Sequence, residues 1–518
     1  MNTLYYGNNL QVLREHFADE SVDLIYLDPP FNSQKDYNVI FTDSKGKVSH
    51  AQAVAFEDAW SWTPEAQATY DELTNTAIHK GAVPEDVSRL VSAFRMAIGT
   101  NDVMAYLVMM AIRLLELHRV LKPRGSIYLH CDPTASHYLK VLMDQIFGPR
   151  NFRRELVWRS GWVSGFKSKA KNWVRNHDIL LYYTKDLGAG FTFNKDKAYE
   201  PHEPGYKRRG GGENPLGVAI DDVWDKNELY SPWIKSFSTE KLGYMTQKPV
   251  ALLERIIEVS SRPGDLVLDP FCGCGTTLIA AQKLGRRWMG IDITHIATAL
   301  IRKRLRESFG LTSIPVVGAP EDLDGAKALA QQDRYQFQWW ALSLIEAQPV
   351  GGKKKKGSDK GIDGVITYTG FDGEMRRVLI SVKSGGVGVG DVRDLVGTLK
   401  REEGSGATLG VLITLETPSK PMVQEATTAG QHIEEGWRKQ IPKVQIATIV
   451  DLLEGHRPIL PPNLAVSDRK ARPVIAEKQA DLYERAIDAK KVAEPHPELF
   501  EIKILDKDET PKAKKKRR

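Results

Sequence analysis

Two short stretches of this 518-residue chain place an acid and a proline directly after an apolar run: LDPPFN at 27–32 and LDPFCGCGTT at 268–277. In the first, Asp28 offers a carboxylate acceptor and Pro29 a backbone carbonyl. Pro29 and Pro30 hold that corner rigid. Two fixed acceptors can draw the hydrogens of a planar amino group out of plane. The lone pair is then turned toward an electrophilic methyl with little reorganisation. Phe31 supplies a flat ring that can stack on a base rotated out of a duplex. Asp-Pro-Pro is also a common turn, and taken alone it reads as one.

The second stretch belongs to VLDPFCGCGTTLIAAQKLGRRWMGIDI (267–293), a strand, a glycine-rich turn, a helix, a second strand and a terminal acid. Gly273 and Gly275 let the backbone turn tightly and approach a ligand where a Cβ would collide. Thr276 and Thr277 are placed to cap the following helix. Asp269 and Asp292 fall at carboxyl ends of strands, where α/β sheets bind ligands, and Asp292 is spaced to accept from ribose hydroxyls. The whole unit points to an adenosine-containing cofactor. It lacks the third glycine of GxGxxG and the GK[ST] of a P-loop, which argues against NAD and ATP. The bland alternative is a tight turn followed by a helix.

The elements that must position these residues alternate along the first 305 positions, as in an α/β layer fold with a largely parallel sheet. Strands are expected at 21–28, 125–132, 178–184, 265–271 and 286–293, and helices at 103–120, 134–147, 249–260, 276–284 and 294–308. Residues 160–245 read as an irregular Gly-, Lys- and aromatic-rich insertion rather than sheet, and 308–330 as a linker. Hydrophobic content of 42% and charged content of 27% are ordinary for a globular protein. No run is long and apolar enough to span a bilayer, so no membrane partner is expected. MNTLYYGNNLQVL lacks a signal-peptide layout. Three cysteines, Cys131, Cys272 and Cys274, fit a reducing, cytoplasmic setting, and the CxC pair has no second half for zinc. Net charge is only +6, but KSKAK (167–171), KRRGGG (207–212), KKKK (353–356) and the terminal PKAKKKRR cluster it. Each run alone is a solvated face. Together they suggest a polyanionic partner.

DPFCGCGTT resembles the S-adenosylmethionine loop of the DNA amino-methyltransferases, with Cys274 where serine is usual. YMTQKPVALLERII (244–257) is similar to that family's TQKP segment, although Tyr244-Met245 departs from the usual His-Pro. Asp28-Pro29-Pro30-Phe31 matches the family's (D/N/S)PP(Y/F/W) signature at every position. The resemblance implies a Rossmann-like class I methyltransferase fold over 1–307. It implies catalysis at Asp28, Pro29, Pro30 and Phe31. Cofactor contacts would come from Asp269, Pro270, Phe271, Gly273, Gly275, Thr276 and Asp292, with Thr246, Gln247 and Lys248 near the methionine end. No cysteine follows a proline, which excludes cytosine-C5 chemistry. Asp at the first motif position favours adenine N6, with cytosine N4 the alternative. The corner preceding the loop is the permuted order of the family's β group. LHRVLKPRGSIYLHCDPTASHYLK (117–140), NFRRELVW (151–158) and NHDILLYYTK (176–185) agree with that group.

Double-stranded DNA is then the expected partner, read by 159–245 through Lys167, Lys169, Lys171, Arg175, Arg208, Arg209 and the stacking ring Trp173. An ordinary basic loop is the alternative, and 56–105 is a second candidate region. Pairing of two copies as a homodimer is a further expectation. Residues 331–465 read as a second, smaller α-β-β-α-β domain, and 466–518 as a charged tail with a helix near 474–490. GIDGVITY (361–368) and VLISVKSG (378–385) resemble the PD-(D/E)xK core of Mrr-like restriction endonucleases. In that core Asp363 would hold Mg2+ and Lys383 would polarise water or phosphate. Ser381 stands where a second acid is usual, and Glu346 on the preceding helix is a substitute carboxylate. Two readings stay open: a bifunctional restriction–modification enzyme with Mg2+-dependent cleavage, or a retained fold that docks DNA or partners.

Overall fold

In this computed structural model the described residues are 2–30, 36–42, 48–57, 61–160, 171–202, 214–225, 229, 247–350, 361–370, 374–433 and 440–461, with backbone only for 36–42 and 48–57. The chain divides into units 1–473 and 474–518, and every described residue lies in the first. The tail helix expected near 474–490 is therefore outside them.

VDLIYL forms a strand because its side chains alternate between two apolar layers. Val22, Ile25 and Leu27 join one core, and Leu24 and Tyr26 join the other. Burial on both faces is the mark of a parallel sheet covered by helices on each side. The strands of the first region are β1 (Thr3–Tyr6), β2 (Val22–Leu27), a hairpin of β3 (Asp36–Thr42) and β4 (Val48–Glu57), then β5 (Leu121–Cys131), β6 (Phe152–Arg159) and β7 (His177–Thr184). They continue with β8 (Tyr199–Glu200), β9 (Val218–Ala219), β10 (Val223–Trp224), β11 (Leu266–Asp269), β12 (Arg287–Asp292) and β13 (Val316–Val317). Among the described residues nine of them make one sheet, ordered β10-β6-β7-β5-β2-β11-β12-β1-β13. Only β7 runs antiparallel to its neighbours, β5 and β6. This is the Rossmann-like α/β arrangement expected from the sequence.

Helices α1 (Asn9–His16), α2 (Pro64–Thr74), α3 (Thr76–His79), α4 (Glu85–Ile98), α5 (Asp102–Val120) and α6 (Ser136–Phe147) precede β6. Of these, α1, α5 and α6 supply much of the first core. The other face is covered by α7 (Val250–Ser260), α8 (Thr276–Lys283) and α9 (His295–Phe309). The ends of α5 and α9 follow from local chemistry. Asn101 accepts from the Met104 amide at 2.9 Å, and Thr294 from the Ala297 amide at 3.2 Å.

Two segments differ from expectation. Within 160–245, the strand expected at 178–184 is present as β7, but Val223–Trp224 adds an edge on β6, because Trp224 is buried in the second core. Within 308–330, Val316 and Val317 pair with Leu4 and Tyr5, and α10 (Leu323–Gln332) buries Ala326 and Leu329 against α11 (Arg334–Leu344). Short apolar pairs and a small-residue helix give little periodic signal, so both read as connecting chain.

The second sheet is β14 (Gln348–Pro349), β15 (Gly364–Thr369), β16 (Met375–Lys383), β17 (Ala407–Thr414) and, beyond a ribbon of β18 (Gln431–Ile433) and β19 (Gln440–Pro442), β20 (Val444–Thr448). Helices α10 and α11 cover one face, and α12 (Val389–Glu402) and α13 (Lys420–Thr428) the other. The α-β-β-α-β order expected from the sequence is present.

A tight contact fixes β12 against α8. A Cβ on Gly290 would stand 2.7 Å from Leu278 Cδ2 and 3.1 Å from Cys272 Sγ. Both neighbours are buried. Gly290→Ala is therefore expected to lower stability by about 1–3 kcal/mol, read as a shift in the urea unfolding midpoint. An unchanged midpoint would show that the contact relaxes freely.

Candidate active site

β2 and β11 pair in parallel, Leu24 with Val267 and Ile25 with Leu268. From β2 the chain goes to β5 on one side, and from β11 to β12 on the other, so the crevice at their carboxyl ends is a topological switch point. Asp28 follows β2 and Asp269 ends β11, so residues roughly 240 positions apart in sequence meet there. Asp292 ends β12 and faces the same cleft. The walls are apolar, from Phe271, Ile291, Ile293, Leu253 and Met109, with Pro29 and Pro30 at one end.

The glycine loop is held by backbone and carboxylate contacts. Gly273 lies at φ +48° and donates its amide to Asp292 Oδ2 at 3.0 Å. Asp292 Oδ1 accepts from both the amide and the hydroxyl of Thr294, each at 2.8 Å. Gly275, at φ +77°, is the residue that starts α8, and no side chain caps that helix. The capping expected of Thr276 and Thr277 is thus corrected. Thr277 donates instead to Asp269 Oδ2 at 2.5 Å, and Thr276 contacts Cys274 Sγ at 3.5 Å. A left-handed glycine turn leaves no extended residue from which a threonine could cap. Burial pushes Asp269 up to about 7, against the Thr277 hydroxyl and Phe271 amide that favour its charged form. Burial likewise pushes Asp292 up to about 6.

At the corner, the Lys248 ammonium donates to Asp28 Oδ2. Gln247 and Lys248 are buried, which brings the segment before α7 against the corner. Asn9 donates to the Pro270 carbonyl at 2.8 Å and accepts from Arg113 Nε at 2.6 Å. Behind Asp28 lies a chain of polar groups that the sequence reading missed. Tyr26 and His130 Nδ1 are 2.8 Å apart, and His130 Nε2 and Asp178 Oδ2 3.4 Å apart. The only signal for them was their position at strand ends, in LHCD and NHD.

The cleft offers carboxylates at both ends and apolar walls between. Such a surface suits a cofactor with a flat apolar ring, a vicinal diol and a positive charge. Three acids, Asp28, Asp269 and Asp292, share it with two cations, Lys248 and Arg113. Burial lowers the Arg113 guanidinium to about 10.

Of the residues expected to touch DNA, Lys171 is exposed and Trp173 is 98% exposed. Arg175 is instead held at home, donating to Asp132 at 3.0 Å and Asp178 at 2.6 Å. Phe31, Thr246, Lys167, Lys169, Arg208 and Arg209 lie outside the described residues. At the second sheet Asp363 Oδ2 accepts from the Val382 amide at 2.6 Å and lies 3.4 Å from Ser381 Oγ. Lys383 Nζ lies 3.1 Å from Asp391. Glu346 is corrected: it lies beyond the end of α11, at φ +57°, with its carboxylate on Arg306 of α9 at 2.7 and 3.0 Å.

A family profile described as DNA methylase, of the N6/N4 type, matches residues 22–303, and one described as restriction endonuclease matches 329–435. The type II methyltransferase M.BamHI of Bacillus amyloliquefaciens is 26% identical over 319 residues, 59% of this chain and 57% of that protein. M.HpaI of Haemophilus parainfluenzae is 32% identical over 204 residues, 38% of this chain and 59% of that protein. The chain thus spans little more than half the length of these relatives. Among solved structures, the cytosine-N4-specific PvuII DNA methyltransferase has a TM-score of 0.35 at 16% identity, covering 58% of this chain and 85% of that one. The M1.HpyAVI–SAM complex has a TM-score of 0.33 at 18% identity, covering 59% and 99%.

The buried acids give a pH signature. Asp269 rises from 3.8 to about 7 on folding, so between those values the folded protein holds a proton that the unfolded chain releases. That contribution to stability is full below about 4 and is lost as pH rises through 7. Asp269→Asn should therefore flatten the fall in melting temperature between pH 4 and 7. An unchanged slope would remove Asp269 as its source.

Proposed function

The chain belongs to the N6/N4 DNA methylase family, and from that premise we propose that it transfers the methyl group of S-adenosylmethionine to an exocyclic amine in double-stranded DNA. The observation that carries this reading is the single cleft at the β2–β11 switch, where the Asp28-Pro29-Pro30 corner faces the glycine loop and Asp292. Residues 1–307 perform the transfer. Asp292 receives the ribose hydroxyls, Gly273 and Gly275 keep the loop free of side chains, and Phe271 and Ile293 sandwich the adenine. Gln247 and Lys248 border the methionine end, and Asp269 stiffens the loop through Thr277. When bound, the cofactor supplies a sulfonium-activated methyl group.

The chain's own residues prepare the amine. Asp28 and the Pro29 carbonyl accept its two hydrogens and aim the lone pair at the methyl. The nitrogen–carbon bond forms as the sulfur–carbon bond breaks, and the nitrogen's surplus proton leaves by way of Asp28. No covalent enzyme intermediate is needed. Phe31 stacks on the extruded base. Lys171 and Trp173 contact the duplex, together with Lys167, Lys169, Arg208 and Arg209. Arg175 is already paired with Asp132 and Asp178. The preferred target is adenine N6, with cytosine N4 the alternative.

Asp28→Ala should abolish methyl incorporation into DNA while S-adenosylmethionine still binds, measured by tritium transfer and calorimetry. Normal incorporation by that variant would overturn the assignment. Base-resolved sequencing of DNA from a methylation-free host expressing the protein should show methyladenine, and methylcytosine would overturn the choice of base.

A second activity rests on the match over 329–435 and on Asp363, just before β15, standing beside Ser381 and Lys383 of β16. In this reading of residues 331–465, Asp363 would hold Mg2+, which would supply activation of the attacking water for DNA cleavage. Lys383→Ala should remove Mg2+-dependent cleavage and leave methylation intact. Cleavage that survives would place it elsewhere.

A further inference from the structure

Gly273, at φ +48°, and Gly275, at φ +77°, flank Cys274 in the loop that lines the cleft. A peptide bordered by glycines can turn its carbonyl in more than one direction at little steric cost. Left free, such a loop would have to be ordered at the moment of binding, and that ordering weakens affinity. In this structure the order is present beforehand, and one helix imposes it.

Helix α9 reaches the loop at three points. Thr294, which caps it, donates its amide and hydroxyl to Asp292 Oδ1, and Asp292 Oδ2 accepts the Gly273 amide. Further along, Ile301 packs on Gly275, where a Cβ would stand 2.6 Å from Ile301 Cγ1. One turn beyond, on the same face, Arg304 donates to the Cys274 carbonyl. The helix thus holds the loop both before and after Cys274.

Arg304 is only 6% exposed, and Cys274 is buried as well. A guanidinium at that depth is costly unless its donors are used. A long apolar side chain would be cheaper to bury but would take this donor from the Cys274 carbonyl. The neighbouring loop carbonyls are served by neutral groups, Pro270 by the Asn9 amide group at 2.8 Å and Cys272 by the Gly275 amide at 2.7 Å. Cys274 receives a charged donor, which makes the stronger and more directional bond.

We propose that Arg304 is a positioning residue for the cofactor: by holding the Cys274 carbonyl from α9, it sets the 274–275 peptide and the left-handed turn at Gly275 before S-adenosylmethionine arrives. The inference deepens the methyl-transfer reading above and rests on it for the identity of the cofactor. Arg304 acts on the loop, and the loop meets the ligand.

The test compares wild type with Arg304→Met, which keeps an apolar stem and removes the donors, and with Arg304→Lys, which restores one charged donor. On the full chain, calorimetry gives Kd for S-adenosylmethionine, steady-state transfer gives KM for the cofactor and for unmethylated DNA, and hydrogen exchange follows the ligand-free loop. Arg304→Met should weaken Kd and raise KM for the cofactor by about tenfold or more, the scale of one charged hydrogen bond. KM for DNA should stay within about twofold of wild type. Loop amides from Phe271 to Gly275 should exchange about tenfold faster, with β5 and β7 at wild-type rates. Arg304→Lys should recover part of both losses. Should Arg304→Met fail to fold, Arg304→Gln takes its place under the same criteria. Wild-type cofactor affinity in the variant lacking the charge would overturn the proposal and leave the parent reading standing. So would faster exchange throughout the sheet, or no recovery by lysine, since either marks a structural role alone. A wild type that binds no S-adenosylmethionine would overturn the parent reading, and the proposal with it.

Discussion

β11 lies beside β2 in the middle of the sheet, and the chain leaves the two strands in opposite directions. Two consecutive parallel strands whose crossovers diverge must leave a crevice at their carboxyl ends, because no helix can cover both sides of the split. The amino acids that end each strand are thereby exposed to one another and to a ligand. In this chain they are both Asp-Pro. The corner at 28–30 and the loop at 269–275 are remote in sequence, and the sheet alone makes them one site. Every other feature of the cleft, from the Asn9 link to Pro270 to the Lys248 contact, serves to hold that junction.

Concentrating carboxylates at such a junction is costly before any ligand arrives. Burial raises the proton affinity of Asp269 and Asp292, and the nearby Asp28 and Asp292 charges raise Asp269 further. The fold offsets this locally. Thr277 and the Phe271 amide serve Asp269, Thr294 and Gly273 serve Asp292, and Lys248 serves Asp28. These are different solutions with different consequences. Hydroxyls and amides of α8, α9 and the loop are fixed by the backbone and cannot leave. A lysine side chain can. The one acid compensated by a side-chain cation is the corner acid, Asp28.

The sheet was legible because its central strands are buried on both faces. Runs such as LIYL, IYL and ILLYY are apolar without interruption, and the helices between them carry long amphipathic periods. What escaped were elements whose signal is short or depends on partners. β1, β13 and β10 are two to four residues long and exist because a neighbouring strand completes them. At the site, residue types and order were enough to single out Asp28, the loop and Asp292. Side-chain partners were not. Thr277 looked like a helix cap because threonine at a helix start usually is one, and only the left-handed Gly275 shows otherwise. Arg175 looked like a phosphate ligand because it stands in a basic stretch. The acids that claim it, Asp132 and Asp178, come from a strand end some forty residues earlier and from the next strand.

The same logic governs Glu346. A carboxylate near the start of a nuclease-like domain invites assignment to a metal, yet a side chain's reach is set by where its backbone leaves the helix. Here α11 ends at Leu344, and Glu346 turns away at a left-handed φ toward Arg306 at the end of α9. An exposed bidentate pair contributes little energy, so its value is directional: it fixes the last helix of the first sheet layer against the first helices of the second. Helix α10 and β13 act likewise, one buried in the second core and the other hydrogen-bonded to the first sheet. The segment between the two sheets is therefore an ordered joint. Bending at this segment would break these contacts, which ties the geometry of one sheet to that of the other.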